Sequence, residues 1–251
     1  MNVVLYDWGP SPFCLKVRAI LEHKRIPYAR RGALGRPMLE LRRRGKIGKV
    51  PALDIDGELI CDSTDIAYAL ERRVPEPAVL PADRRERALC HALEEWADES
   101  HYWIGIYFQW IDPAGLAMVP QAFGKGPLGK VAFEVYRRRI QRQVRGQGTA
   151  RKPDAHVQSD LERQLDAAEG LLAPGPYLLG ARPALCDFAV MSQLVYLSRT
   201  PVGKPRIEAR PALGRYLAAM KGLRRQAAEP EPEPETDTET ERAGIATATA
   251  P

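Results

Sequence analysis

Paired cysteines are missing from this 251-residue chain. Its four cysteines, Cys14, Cys61, Cys90 and Cys186, stand alone, with no Cys-x-x-Cys pair and no His-x-x-x-His partner. That pattern argues against a structural zinc site or a disulfide framework, so no metal is expected, and it suits a reducing cytoplasmic compartment. His23, His91, His101 and His156 are equally scattered, and their spacing supports no nucleophile–histidine–acid constellation. A glycine-rich phosphate loop is absent. No apolar run approaches the ~18 residues of a membrane span, and the N-terminus is too polar for a signal peptide, so neither a membrane anchor nor secretion is expected.

Charge is plentiful and unevenly placed. Lys and Arg number 37 against 32 Asp and Glu, a net charge of +5. From Glu229 the chain runs Glu-Pro-Glu-Pro-Glu-Pro-Glu-Thr-Asp-Thr-Glu-Thr-Glu-Arg, with seven acids, one base and almost nothing apolar, so residues 227–251 read as a disordered acidic tail. Without it the body carries 36 bases against 25 acids, or +11. The basic runs Arg42–Lys46 and Arg137–Arg145 lack interleaved aromatics and any nucleic-acid motif, so they read as solvated faces and no nucleic-acid partner is expected. A basic body also suits small anionic ligands.

Two domains fit the length and the 45% hydrophobic content. Val3 to Tyr6 read as a short buried strand, and Phe13, Val17, Ile20 and Leu21 fall at i, i+4, i+7 and i+8, one apolar face of a helix that starts at Ser11. Asp56-Gly57 between apolar runs signals a hairpin. Asp62-Ser63 ends the second of its strands and caps a helix through Ile66, Ala67 and Leu70. Residues 74–82 hold three prolines and read as a linker. Helical periodicity follows over 88–110, 131–145, 157–172, 187–197 and 211–220. The expected organisation is an α/β domain over 1–73, the linker 74–82 and an all-α helical domain over 83–226.

The chemistry concentrates at Ser11-Pro12-Phe13-Cys14. A hydroxyl and a thiol sit on the first turn of a helix, beside free backbone N–H groups and the positive end of the helix dipole, where an anionic sulfur is best stabilised. Pro51 opens a strand, a place where no ladder N–H is lost, and an X-Pro bond is the one at which a cis form is cheap, about 0.5–1 kcal/mol. A cis turn there would present the Val50 N–H and C=O to a ligand. The Asp62 carboxylate, the Ser63 hydroxyl and the free N–H groups behind them suit the α-amino acid end of a ligand.

Ser-Pro-Phe-Cys is a thioredoxin-like Cys-x-x-Cys with its first cysteine replaced. Together with Gly48-Lys49-Val50-Pro51-Ala52-Leu53, Asp56-Gly57 and Leu59 to Ala67 it resembles the N-terminal domain of a glutathione transferase. The resemblance covers roughly residues 1–226 and implies a thioredoxin-like domain followed by a helical one. It further implies glutathione as co-substrate, a homodimer and a role in detoxification. By the same resemblance Val50 and the cis Pro51 pair with the cysteinyl part of glutathione, and Asp62 and Ser63 hold the γ-glutamyl end. The plant tau class, whose Ser-Pro-Phe opening is similar, places cations near the glycyl carboxylate at positions matching Lys49 and, in position and charge only, Arg36. One departure stands in the helical domain, where Gly180-Ala-Arg-Pro183-Ala184-Leu-Cys186-Asp187 lacks the hydroxyl cap usual before the buried helix.

Ser11 and Cys14 compete for the catalytic role. Cys14 occupies the place of the more buried thioredoxin cysteine and can simply be packing. A serine hydroxyl forms no mixed disulfide, but it can donate a hydrogen bond to the glutathione thiolate and lower its pKa. Trp96, Ser100, Trp103, Tyr107 and Trp110 recur at helical spacing and form either core or the wall of an electrophile site, with Trp103 and Tyr107 the expected pocket residues. The leading expectation is therefore transfer of glutathione to a hydrophobic electrophile. Its rivals are a glutathione-dependent thiol reductase or peroxidase using Cys14, and a noncatalytic, metaxin-like interaction module of the same fold.

Overall fold

Asp56 and Gly57 both adopt positive φ, 53° and 92°, the backbone of the two-residue turn that matches the twist of a hairpin. The turn joins β3 (Ala52–Ile55) to β4 (Glu58–Cys61). With β1 (Val3–Asp7) and β2 (Ala29–Gly32) they make a four-stranded mixed sheet of order β2-β1-β3-β4, parallel between β1 and β2 and antiparallel elsewhere. The computed structural model describes residues 1–33, 36–45, 48–119 and 126–225. The acidic tail lies outside them.

Side-chain alternation covers the sheet on both faces. Leu5 and Leu53, fully buried, join Val17, Ile20 and Leu21 of α1 (Pro12–His23) and Ile66 and Leu70 of α3 (Ser63–Arg73) in the main core. Tyr6 and Ala52 point the other way, against Leu41 of α2 (Arg36–Gly45), and the Tyr6 hydroxyl donates to Glu40 Oε1 at 2.9 Å. Neither β2 nor α2 stood out in the sequence, because β2 is Ala-Arg-Arg-Gly and wholly exposed and α2 ends in the arginine run read as a solvated face.

From Arg84 to Arg225 the described residues are mostly helical. They include α4 (Arg84–Glu95), α5 (Tyr102–Trp110), α6 (Pro113–Met118), α7 (Pro127–Gln147), α8 (Asp154–Leu171), α9 (Leu185–Leu197), α10 (Gly203–Glu208) and α11 (Pro211–Arg225). All of α9 except Val195 is buried, as expected of a helix apolar on every side, and it packs on α1, α4 and α5. At its start the Asp187 carboxylate accepts from Ala184 N at 2.8 Å and Leu178 N at 2.9 Å, which anchors the end that Ala184 cannot cap. The continuous helix expected over 88–110 is interrupted, because Trp96–His101 form a π-helical turn between α4 and α5.

His101 closes that turn. It is 3% exposed, its Nδ1 lies 2.8 Å from Gln164 Oε1, and its Nε2 has no hydrogen-bond partner among the described residues. Burial lowers its pKa to about 4, against partial support from Gln164. The unfolded chain takes up this proton near pH 6.5 and the folded one only near 4, so the stability it contributes is lost as pH falls between these values. At ~1.4 kcal/mol per unit the loss approaches about 3 kcal/mol. Thermal unfolding of wild type and His101→Gln at pH 7 and pH 4.5 should show the smaller acid loss in the variant; equal losses would contradict this.

Candidate functional site

Three turns leave the sheet at one end. Tyr6 of β1 pairs with Ala52 of β3, and Ala52 with Cys61 of β4. The Ser11 turn after β1, the Val50-Pro51 bond before β3 and the Asp62-Ser63 pair after β4 therefore emerge in a row, with strands ~4.8 Å apart.

Ser11 is the N-cap of α1. Its Oγ accepts from Cys14 N at 3.3 Å and its C=O from Leu15 N at 3.1 Å, while its own N–H donates to Trp8 O at 2.9 Å. The hydroxyl thus spends a lone pair on the helix and keeps its proton to donate, beside the positive helix end. Cys14 is placed differently from the thiolate reading. It is fully buried, Trp8 N donates to its Sγ at 3.4 Å, and burial pushes its pKa up to about 12. The helix end cannot offset that desolvation, so Cys14 stays a protonated packing residue at neutral pH.

Val50-Pro51 is cis, and neither the Val50 N–H nor its C=O has a hydrogen-bond partner among the described residues. Asp62 has φ 82°, rare for a residue with a side chain, and caps α3 by accepting from Thr64 N at 2.9 Å. A backbone of this kind costs about 1–3 kcal/mol and is characteristic of functional turns. Ser63 is 4% exposed. Lys49 is exposed, with no anionic partner among the described residues. Arg36 begins α2, and its side chain lies outside the described residues.

Behind Ser63 is a cluster that sequence reading missed. Lys16 on α1 is fully buried, and its Nζ donates to Ser63 Oγ at 3.4 Å, Thr64 Oγ1 at 3.2 Å, Asp98 Oδ2 at 2.7 Å and Glu94 Oε1. Gln193 of α9 donates to the other Asp98 oxygen at 3.3 Å. Burial acts to lower the Lys16 pKa, but Asp98 and Glu94 outweigh it and the net shift is upward. The Asp98 pKa is raised, chiefly by burial and with Glu94 adding to it, against the opposing pull of Lys16. The cluster ties the start of α3 to the helical domain. A lysine within the apolar α1 sequence and two acids four residues apart were the available signal.

In front of Ser11 lies a cavity of about 260 Å³. Trp8, Ser11 and Phe13 face Tyr102, Ile106, Gln109 and Trp110 of α5, Tyr136 of α7, Tyr196 of α9, and Arg199 just past its end. Phe13 and Tyr102 touch with ring centroids 4.8 Å apart, and Trp110 Nε1 donates to the Tyr196 hydroxyl at 3.3 Å. Trp103 and Tyr107 do not line it. Tyr107 is 4% exposed and donates to Asp154 at the start of α8, and Trp103 packs edge-on against Tyr102. The reason is geometric. The π-helical turn breaks the 3.6-residue phase drawn from Trp96 onward, and periodicity does not say which of two adjacent faces, 102/106/109 or 103/107, turns toward the first domain, with Trp110 at the border of both.

The same order of parts is found in known proteins. Residues 5–78 match the description "Glutathione S-transferase, N-terminal domain" and residues 131–219 "Glutathione S-transferase, C-terminal domain". The chain belongs to the glutathione S-transferase family. Glutathione is the co-substrate of this transferase family. The chain is similar to the isoprene-epoxide–glutathione S-transferase of Rhodococcus sp. (strain AD45), 26% identical over 183 residues, 69% of this chain and 77% of that one. It is 35% identical over 99 residues to a probable maleylacetoacetate isomerase 1 of Drosophila melanogaster, a match spanning 37% of this transferase and 40% of the relative. The fold is also that of a glutathione S-transferase from Methylobacterium radiotolerans in complex with glutathione sulfonate, with TM-score 0.59, 20% identity, and 94% and 99% of the two chains covered. Among the described residues no helix of this transferase is long and apolar enough to cross a membrane.

Proposed function

We propose that the protein transfers glutathione to an apolar, flat electrophile, with Ser11 as the group that stabilises the thiolate. The observation that carries this reading is the pairing of a donor-competent Ser11 hydroxyl, open to an aromatic cavity, with a Cys14 thiol that is buried and protonated. Glutathione would lie along the end of the sheet. Its γ-glutamyl end meets Asp62 and Ser63, its cysteinyl amide pairs with the Val50 backbone beside Pro51, and its glycyl carboxylate lies near Lys49 and Arg36. The thiol gives its proton to solvent, the hydroxyl of Ser11 donates a hydrogen bond to the resulting sulfur anion, and the sulfur forms a bond to the electrophilic carbon. The bond from that carbon to its leaving group breaks, and the leaving group keeps the electron pair. A hydrogen bond to the charged form favours ionisation, which is how a neutral hydroxyl promotes a nucleophile it does not itself deprotonate.

The burial of Cys14 argues against the reductase or peroxidase reading. A noncatalytic role is tested by glutathione titration, since an interaction module binds none at micromolar to millimolar concentration. The family resemblance supports reading the working unit as a homodimer in the cytoplasm with a detoxifying role, and light scattering checks the oligomeric part.

Ser63→Ala should raise the half-saturating glutathione concentration roughly ten- to a hundredfold, the equivalent of the ~1.5–3 kcal/mol of a hydrogen bond to a charged group. Turnover at saturation should change little, because the contact is equally strong in ground and transition states. Lys49→Ala should do less, below about 1 kcal/mol, and its effect should shrink as salt rises, since the ammonium is exposed. Steady-state kinetics at two ionic strengths measure both. Unchanged half-saturation in both variants, with circular dichroism intact, would show that the glutathione site is elsewhere.

A further inference from the structure

The cavity before Ser11 is aromatic on most sides and, among the described residues, carries one formal charge on its lining. Tyr102, Tyr136 and Tyr196 have their pKa values raised, chiefly by burial, so their hydroxyls are neutral. Gln109 is occupied, donating through Nε2 to Gly115 O at 3.2 Å. Among the described residues no carboxylate and no lysine lines the cavity. Arg199 does, exposed at the rim, and among the described residues it has no carboxylate partner. Its Nη1 donates to Pro10 O at 3.0 Å, which fixes the guanidinium beside the residue preceding Ser11 and leaves the rest of its donors for a ligand. The neighbouring cation Arg18 is already paired with Asp7.

We propose that Arg199 sets the acceptor preference of the pocket, selecting electrophiles that join a flat apolar body to a carboxylate. This rests on the transferase reading above and specifies its substrate class. The aromatic walls take the apolar body, and the guanidinium at the rim takes the carboxylate, which can then keep part of its hydration while the reacting carbon sits near Ser11. Arginine suits this task because its planar fork matches a carboxylate, and one arm is already held by Pro10 O. A neutral acceptor of the same shape gains only the aromatic contacts.

The test compares a chlorodinitrobenzoate with its methyl ester, which share the reacting carbon and the leaving chloride and differ in charge. Wild type should show the higher kcat/KM on the carboxylate. Arg199→Met should lower that value on the order of tenfold while leaving the ester within about twofold, and Arg199→Lys should keep part of the preference. Equal losses on both acceptors would overturn the proposal and reduce Arg199 to a clamp on the Pro10 turn. Should wild type conjugate neither compound, the transferase reading fails, and binding still decides the role of Arg199. Inert nitrobenzoate and nitrobenzamide can be titrated by quenching of Trp8 and Trp110, which line the cavity. Tighter nitrobenzoate binding that disappears in Arg199→Met supports the assignment; equal binding of the two in wild type overturns it.

Discussion

Ser11→Ala is expected to lower kcat/KM for a neutral aryl halide by ten- to a hundredfold or more, while Cys14→Ala keeps it within about threefold. A donor aimed at developing or resident negative charge in a partly desolvated site is worth ~1.5–3 kcal/mol, and preorganised donors of this kind reach higher. Ser11 has such a donor because its lone pair is engaged by Cys14 N and its proton is free. Cys14 has nothing comparable to lose. Its thiol is buried and protonated, so removing it leaves a small cavity costing roughly 1 kcal/mol of stability without touching the reacting sulfur. Turnover of both variants with glutathione and a dinitrophenyl halide checks this. If Cys14→Ala abolishes activity and Ser11→Ala does not, the roles are reversed.

Lys16→Met should be the most destabilising of the single changes considered. It leaves Glu94 and Asp98 facing each other in the interior without their cation, and breaking a buried pair from one side costs ~3–5 kcal/mol. For a chain of this size that corresponds to a fall in Tm of roughly 10 °C. Adding Glu94→Gln should recover part of it, because the excess buried charge is then reduced. The pH dependence follows from the raised Lys16 pKa. The stability of the charged lysine is fully present below its ordinary value of 10.5 and is lost as pH rises through the higher folded value. Wild type should therefore lose stability on strong alkalinisation by a margin that Lys16→Met lacks. Because Lys16 also donates to Ser63, the variant should bind glutathione more weakly as well. A Tm within about 2 °C of wild type would contradict the account of the cluster.

The parts legible in the sequence were those that short-range chemistry dictates. Ser11 caps α1, Asp56-Gly57 turns the hairpin and Asp62 caps α3 because each role depends on one or two adjacent residues. The sequence was silent where the determinant is tertiary. Exposed β2 and arginine-rich α2 carry little apolar pattern. The π-helical turn at Trp96–His101 shifts the face of α5, so of the aromatic stripe Trp110 lines the cavity while Trp103 and Tyr107 do not, and Tyr102, Ile106 and Gln109 take their place. Lys16 meets acids 78 and 82 positions away, and Tyr196 and Arg199 reach Ser11 from the far end of the chain; no local spacing encodes either meeting. Sequence reading left Cys14 open between chemistry and packing for a related reason. The helix end favours a thiolate, but complete burial, which only the packed structure shows, disfavours it more strongly.

The most direct test of the thiolate-stabilising hydroxyl is an ultraviolet difference titration of bound glutathione, following the thiolate band against pH in wild type and Ser11→Ala at saturating ligand. Wild type should show a thiol pKa well below that of free glutathione, and Ser11→Ala should return it at least one unit toward the free value, as expected for the loss of a hydrogen bond worth ~1.4 kcal/mol or more. An unshifted thiol in wild type, or the same lowered pKa in both proteins, would contradict the central role given to Ser11.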